Sequence, residues 1–118
     1  DNNEKNIISS VFYNRITRGM KLQSDPTILY YKNLNSKAKT IKIFKKDLLS
    51  DNPWNTYTRM GLPLTPICSP GLQALEAAMN PSKTSFLYFV ADGNGGHRFS
   101  DNYKKHLANI KLWKDRLR

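Results

Sequence analysis

Ser85 to Ala91 is a nearly unbroken apolar and aromatic run, and it stops at Asp92-Gly93-Asn94-Gly95-Gly96. That is too short for a helix of ordinary length and too rich in Phe, Tyr and Val for a loop, so it predicts a strongly apolar strand. A connection made of Asp, Asn and three glycines supplies backbone freedom for a tight reversal, and His97 to Ser100 reads as the hairpin partner. The chain must therefore carry at least one antiparallel pair, with everything else arranged around it.

The rest of the periodicity is helical. Asn6 to Arg18 reads as an amphipathic helix with Ile8, Phe12 and Ile16 on one stripe and Ile7, Val11 and Arg15 beside it; Gly19 stops it. Asp25-Pro26 opens a turn, Thr27 to Tyr31 is a short helix or an extended run, and Lys32 to Lys39 is a polar loop. Lys37 to Lys46 alternates lysine with apolar residues and predicts an edge strand or hairpin, and Lys45 to Asp51 has room for one helical turn before Asn52-Pro53. Trp54 to Pro70 is constrained by prolines into an ordered irregular wall. Ser69 as N-cap and Pro70 at the first helical position predict a helix with Leu72, Leu75, Ala78 and Met79 on its apolar face, ending at Asn80-Pro81. A last helix from about Asp101 carries Tyr103, Leu107, Ile110, Trp113 and Leu117. The expected class is α+β: helices on a small, mainly antiparallel sheet.

With 118 residues there is room for one domain and one modest core. A hydrophobic fraction of 39% argues against a disordered polycation. No stretch approaches the ~18 apolar residues of a membrane span. The net charge of +10 invites a nucleic-acid reading, but lysine outnumbers arginine 13 to 6 and no RNA-binding or helix-turn-helix signature accompanies it. A solvated basic face, or one that touches an anionic polymer or lipid, fits the charge better; no nucleic acid is expected as partner. The chain opens at Asp1 without methionine and turns helical almost at once, so it reads as a piece of a longer polypeptide.

Chemistry-bearing constellations are few. The glycine-rich loop lacks the Lys-Ser/Thr of a phosphate loop and leads into a strand. His97 and His106 have no carboxylate or thiol at ligand spacing, so no metal and no cofactor is expected, although a hairpin-end His97 is well placed to line a cleft. Cys68, alone and beside prolines, predicts a small buried residue. Two polar clusters stand out. Gln23, Ser24, Asp25 and Thr27 gather hydrogen-bonding groups at a proline-fixed turn, where Asp25 is either a turn former or a group that orients a neighbour or a ligand. Asn55, Thr56 and Tyr57, flanked by Trp54 and Gly61-Leu62-Pro63, are either a turn over core aromatics or an aromatic-amide surface suited to a sugar.

Ser10-Val11-Phe12-Tyr13-Asn14-Arg15, Leu22-Gln23-Ser24-Asp25-Pro26-Thr27, Asn55-Thr56-Tyr57, Gly61-Leu62-Pro63, Pro70-Gly71, Leu87 to Gly93 and Gly96-His97 occur in this order, from near residue 4 to near residue 113. Taken together they resemble the YceG-like family, the endolytic murein transglycosylases of the bacterial cell wall. The resemblance implies that residues 1–118 are the C-terminal part of a catalytic domain whose parent is held in the inner membrane by one N-terminal helix. A LysM-like domain would follow that helix, and the catalytic domain would lie outside the cytoplasm. It implies peptidoglycan glycan strands as substrate, cell-wall synthesis machinery as a possible partner, and cleavage between N-acetylmuramic acid and N-acetylglucosamine with a 1,6-anhydro end. It also implies that the catalytic glutamate precedes Asp1, that Glu4 matches a non-catalytic position, and that the fragment is inactive alone. The cleft residues carried over are Gln23, Ser24, Asp25, Asn55, Thr56 and Tyr57, with Asn14 orienting its helix. Leu64-Thr65 and Ser69 depart from the usual wording and bear on loop shape only. A glycan-binding module without catalysis is the alternative.

Overall fold

A computed structural model describes residues 2–117. The element order is α1 (Asn2–Thr17), α2 (Asp25–Asn33), α3 (Lys45–Leu49), α4 (Leu72–Met79), β1 (Tyr88–Ala91), β2 (His97–Ser100) and α5 (Tyr103–Arg116). The class is α+β, as the pattern predicted. The residues fall into two compact units, one of 1–15 with 70–118 and one of 16–69.

In the first unit β1 and β2 form the antiparallel hairpin, Tyr88 opposite Ser100 and Ala91 opposite His97. Gly93 and Gly95 both have φ of +85°, which is where glycine is required. The Asp92 carboxylate accepts the N–H groups of Asn94 (2.7 Å) and Gly96 (3.1 Å), closing the turn. Those bonds, the one from Asn94 first, hold its pKa below the ordinary carboxylate value. The regular strand is shorter than Ser85 to Ala91: Leu87 N–H still reaches Ser100 carbonyl at 2.9 Å, but Phe86 N–H turns to the Thr84 hydroxyl. α5 packs on both strands. Its N-cap is Asn102, whose side chain accepts the Lys105 N–H at 2.9 Å.

α1, whose Val11 is buried, is tied to the segment leading into β1 by polar groups. The Asn14 amide donates to the carbonyls of Thr84 and Phe86, both at 2.9 Å. Ser10 shares a hydrogen bond with the Thr84 hydroxyl, and Arg15 Nε donates to Leu87 carbonyl at 2.7 Å. Arg15 is buried and lies over the Tyr88 ring, whereas Ile16, expected in the apolar stripe, is exposed. α4 begins later than Ser69 and Pro70 suggested. Gly71 is its N-cap, in an extended conformation, and Leu75 N–H bonds to Gly71 carbonyl. Proline's fixed φ suits an extended chain as well as a helix, and a glycine inside the first turn costs about 1 kcal/mol of helix stability, so the helix starts after it.

In the second unit α2 runs longer than Thr27 to Tyr31, and α3 follows at Lys45. The edge strand or hairpin expected over Lys37 to Lys46 is absent: residues 39–44 are irregular. Local side-chain bonds outcompete a ladder there, since Asn33 pairs with the Thr40 backbone through both its amide groups and Thr40 Oγ1 accepts the Lys42 N–H. The segment from Trp54 to Pro70 is indeed irregular and well tied, with Trp54 Nε1 donating to Thr65 and its ring 5.8 Å from those of Tyr30 and Tyr31. Cys68 is exposed rather than buried: it stands on the wall of an open groove with Leu29 and Tyr30 of α2, and nothing among the described residues fills that groove. No helix among the described residues is long and apolar enough to cross a membrane.

Candidate functional site

Thr56 is the hub of the second unit. Its side chain is 2% exposed. Gln23 N–H reaches the Thr56 carbonyl at 3.2 Å, and Ser24 N–H reaches Thr56 Oγ1 at 2.8 Å. The Thr27 hydroxyl shares a bond with Thr56 Oγ1 at 2.9 Å and donates to Ser24 carbonyl at 2.6 Å. The two polar clusters that lie some thirty residues apart in sequence are thus one assembly, locked by a buried threonine pair.

Asn55 supports it from beneath. At 1% exposure, its amide nitrogen donates to the carbonyls of Ser50 (2.8 Å) and Leu48 (3.1 Å), and its amide oxygen accepts Tyr57 N–H at 2.7 Å. That occupies both amide protons and one face of the oxygen. Asn55 and Thr56 therefore shape the surface from inside, while the groups facing outward are Gln23, Asp25 and, in part, Ser24 and Tyr57. Tyr57 hydroxyl donates to Asp25 Oδ1 at 2.5 Å. This fixes the Asp25 carboxylate beside the start of α2, where the helix dipole favours negative charge.

Gln23 has φ of +50°, the left-handed region that a residue with a side chain avoids. Neighbours impose it: Leu22 is buried on one side and Ser24 is bonded to Thr56 on the other. Such a conformation costs on the order of 1–3 kcal/mol and persists only where surrounding structure over-determines it. The effect is to fix the backbone of an exposed residue two positions before Asp25, which pairs with Tyr57. Pro26, next in the chain, opens an apolar groove of about 420 Å³ whose walls include Leu29, Tyr30, Leu34 and Ile67. Pro26 is the residue of this stretch that lines the groove; exposed hydrogen-bonding groups and an apolar surface are the two features a sugar ring calls for, since it offers both a polar rim and an apolar face.

Asn14, the remaining predicted residue, belongs to the first unit. Its amide is spent on Thr84 and Phe86, so it fixes the approach to β1. That unit also holds a pair the sequence did not announce: Glu4 Oε1 against His97 Nδ1, both half-buried, with His97 edge-on to Phe89. Ninety-three positions separate them, so no spacing signal exists. His106 is stacked on Tyr88 at 4.8 Å, and burial first, then the charge of Arg15, lowers its pKa below 6.5. No group of His, Cys, Asp or Glu among the described residues is arranged to hold a metal.

Residues 1–112 match the model of the YceG-like family. The chain is 42% identical over 103 residues to a Bacillus subtilis protein named endolytic murein transglycosylase, covering 87% of this chain and 28% of that one. A Streptococcus pneumoniae protein of the same name is 37% identical over 109 residues, covering 91% and 20%. The crystal structure of a YceG-like protein from Listeria monocytogenes superposes with a TM-score of 0.77 at 41% identity, covering 89% of this chain and 32% of the other. The chain therefore spans less than a third of the length of these relatives. Across that span, sequence and backbone agree in order and in geometry, and the chain belongs to the YceG-like family.

Proposed function

We propose that this chain forms part of the glycan cleft of an endolytic peptidoglycan transglycosylase, binding the nascent strand through the surface built by Gln23, Ser24, Asp25 and Tyr57. The observation that carries the reading is Gln23, exposed and held in a left-handed conformation two residues before Asp25, whose carboxylate is paired with Tyr57. The relatives named endolytic murein transglycosylase supply the substrate class. Asn55 and Thr56 keep the wall in shape, and Asn14 fixes the approach to β1 within its own unit.

The reaction needs one carboxyl group. It protonates the glycosidic oxygen as the bond to the N-acetylmuramic acid anomeric carbon breaks. The resulting carboxylate then removes the proton of the C6 hydroxyl, whose oxygen bonds to the same carbon and closes the 1,6-anhydro ring. A carboxyl poised for this has a raised pKa in an apolar surrounding. Asp47, Asp51 and Asp92 are shifted the wrong way, the first two mainly by Lys32 and Arg59 and the third by backbone N–H groups. Asp25 is spent on Tyr57 and Glu4 on His97, while Glu76, Asp101 and Asp115 are exposed to water. The proton donor in this reading is a glutamate of the parent protein outside residues 1–118, and the parent is a single-pass inner-membrane protein with this domain on the extracytoplasmic side.

Incubation of the chain with purified glycan strands, followed by mass spectrometry of the products, tests the catalytic half of the reading. No 1,6-anhydro ends are expected from the chain alone, and their appearance would place the acid within it.

A further inference from the structure

Ile41 is 88% exposed, and Phe44, three residues on, is 52% exposed. Around them Lys37, Lys39, Lys42, Lys45 and Lys46 are all exposed, with no acidic residue between Ser36 and Asp47. An isolated exposed apolar residue needs no explanation, but two set among five lysines form a surface with both an apolar tip and a basic collar.

The ridge is built. Thr40 is clamped from below by both amide groups of Asn33, at 2.8 and 3.0 Å. On the other side of Ile41, the Lys42 N–H is held by Thr40 Oγ1 and the Lys42 carbonyl by Lys32 Nζ, each at 3.0 Å. Phe44 N–H is held by Asp47 Oδ2 at 2.7 Å, and Lys32 Nζ, 4.6 Å from the Phe44 ring centre, also pairs with Asp47. The backbone bonds therefore fix a shape in which the Ile41 side chain projects into water while the neighbouring peptide groups are satisfied.

We infer that residues 37–46 are a peripheral contact for an anionic phospholipid bilayer, with Ile41 and Phe44 entering the interface and the lysines meeting the headgroups. Charge complementarity selects an anionic partner, and the apolar tip selects a bilayer over a soluble polyanion, which offers nothing for Ile41 to enter. Such a contact shares only Lys39 with the groove beside Pro26 and none of Gln23, Ser24, Asp25 and Tyr57.

The test is co-sedimentation of the intact chain with vesicles of phosphatidylcholine alone and of equal parts phosphatidylcholine and phosphatidylglycerol. Binding is expected only to the second, falling steeply as salt is added. Lys42→Glu with Lys45→Glu should weaken it by at least about twentyfold, since each lysine near such a surface is worth about fivefold. Lys111→Glu with Lys114→Glu, which changes net charge equally on α5, should weaken it much less. Ile41→Ser should weaken binding several-fold with the salt dependence unchanged; circular dichroism checks that each variant is folded. Absence of binding at low salt overturns the inference. So does an equal loss in both double variants, which would mean undirected attraction by net charge, or an unaltered Ile41→Ser, which would mean a polyanion surface.

Discussion

At Gln23 stability and the proposed role pull in opposite directions. A glycine there relieves the left-handed strain at the cost of greater freedom in the unfolded chain, and the first effect is the larger in a position fixed at φ of +50°. Gln23→Gly should raise stability by about 1 kcal/mol in denaturant unfolding, while weakening binding to glycan strands. A destabilised variant would show that the strain is compensated by a contact of the side chain. Asn55 predicts the reverse pattern. Its removal leaves Ser50 and Leu48 carbonyls and Tyr57 N–H without their partner in a buried place, so Asn55→Ala should cost about 3 kcal/mol in the same measurement. Loss of glycan binding in that variant would report a collapsed wall, not a lost contact. The sequence exposed both residues as members of polar clusters, yet could not rank them. Which amide faces water depends on bonds to Leu48 and Ser50, and nothing in the local wording encodes those.

At the scale of elements, what was legible is what local chemistry decides. Gly19 ends α1 with φ of +70°, and the glycines after Asp92 make the hairpin turn. Lys37 to Lys46 misled because an alternating pattern is equally satisfied by a loop whose backbone is bonded by Asn33 and Thr40 side chains. The Asn14 clamp on Thr84 and Phe86 and the Glu4–His97 pair were illegible for another reason: each joins residues seventy or more apart, and only the fold brings them within reach. The packing of α5 on β1 carries its own pH dependence. His106, between Tyr88 and Tyr103 and near the Arg15 charge, has a lowered pKa, so the unfolded chain binds its proton more tightly than the folded one. Its contribution is intact above the unfolded value of 6.5 and is lost as pH falls from there toward the folded value. Unfolding midpoints measured across this range should drop as the pH is lowered, and less so in His106→Phe than in the unaltered chain. Equal slopes in the two would mean that His106 titrates as in the unfolded chain.

For the whole molecule, the α+β class and the family follow from the order of motifs along almost the entire chain, and the backbone agrees with a solved relative over 89% of it. The site is a different matter. Of the residues the resemblance carried over, Asn14, Asn55 and Thr56 have their side chains engaged within the fold, and Gln23, Asp25, Ser24 and Tyr57 form the surface available to a ligand. The net charge of +10 bears on a different surface, the lysine collar of residues 37–46, and predicts that the two ligands do not compete. The most direct measurement is a titration of the isotopically labelled chain with uncrosslinked peptidoglycan glycan strands, followed by the backbone and side-chain amide signals in nuclear magnetic resonance. Saturable shifts, weakly sensitive to salt, are expected at the Gln23 side-chain amide and at the Ser24, Asp25 and Tyr57 backbone amides. Shifts confined to residues 37–46, or none at the Gln23 amide at saturation, would contradict the proposed glycan surface.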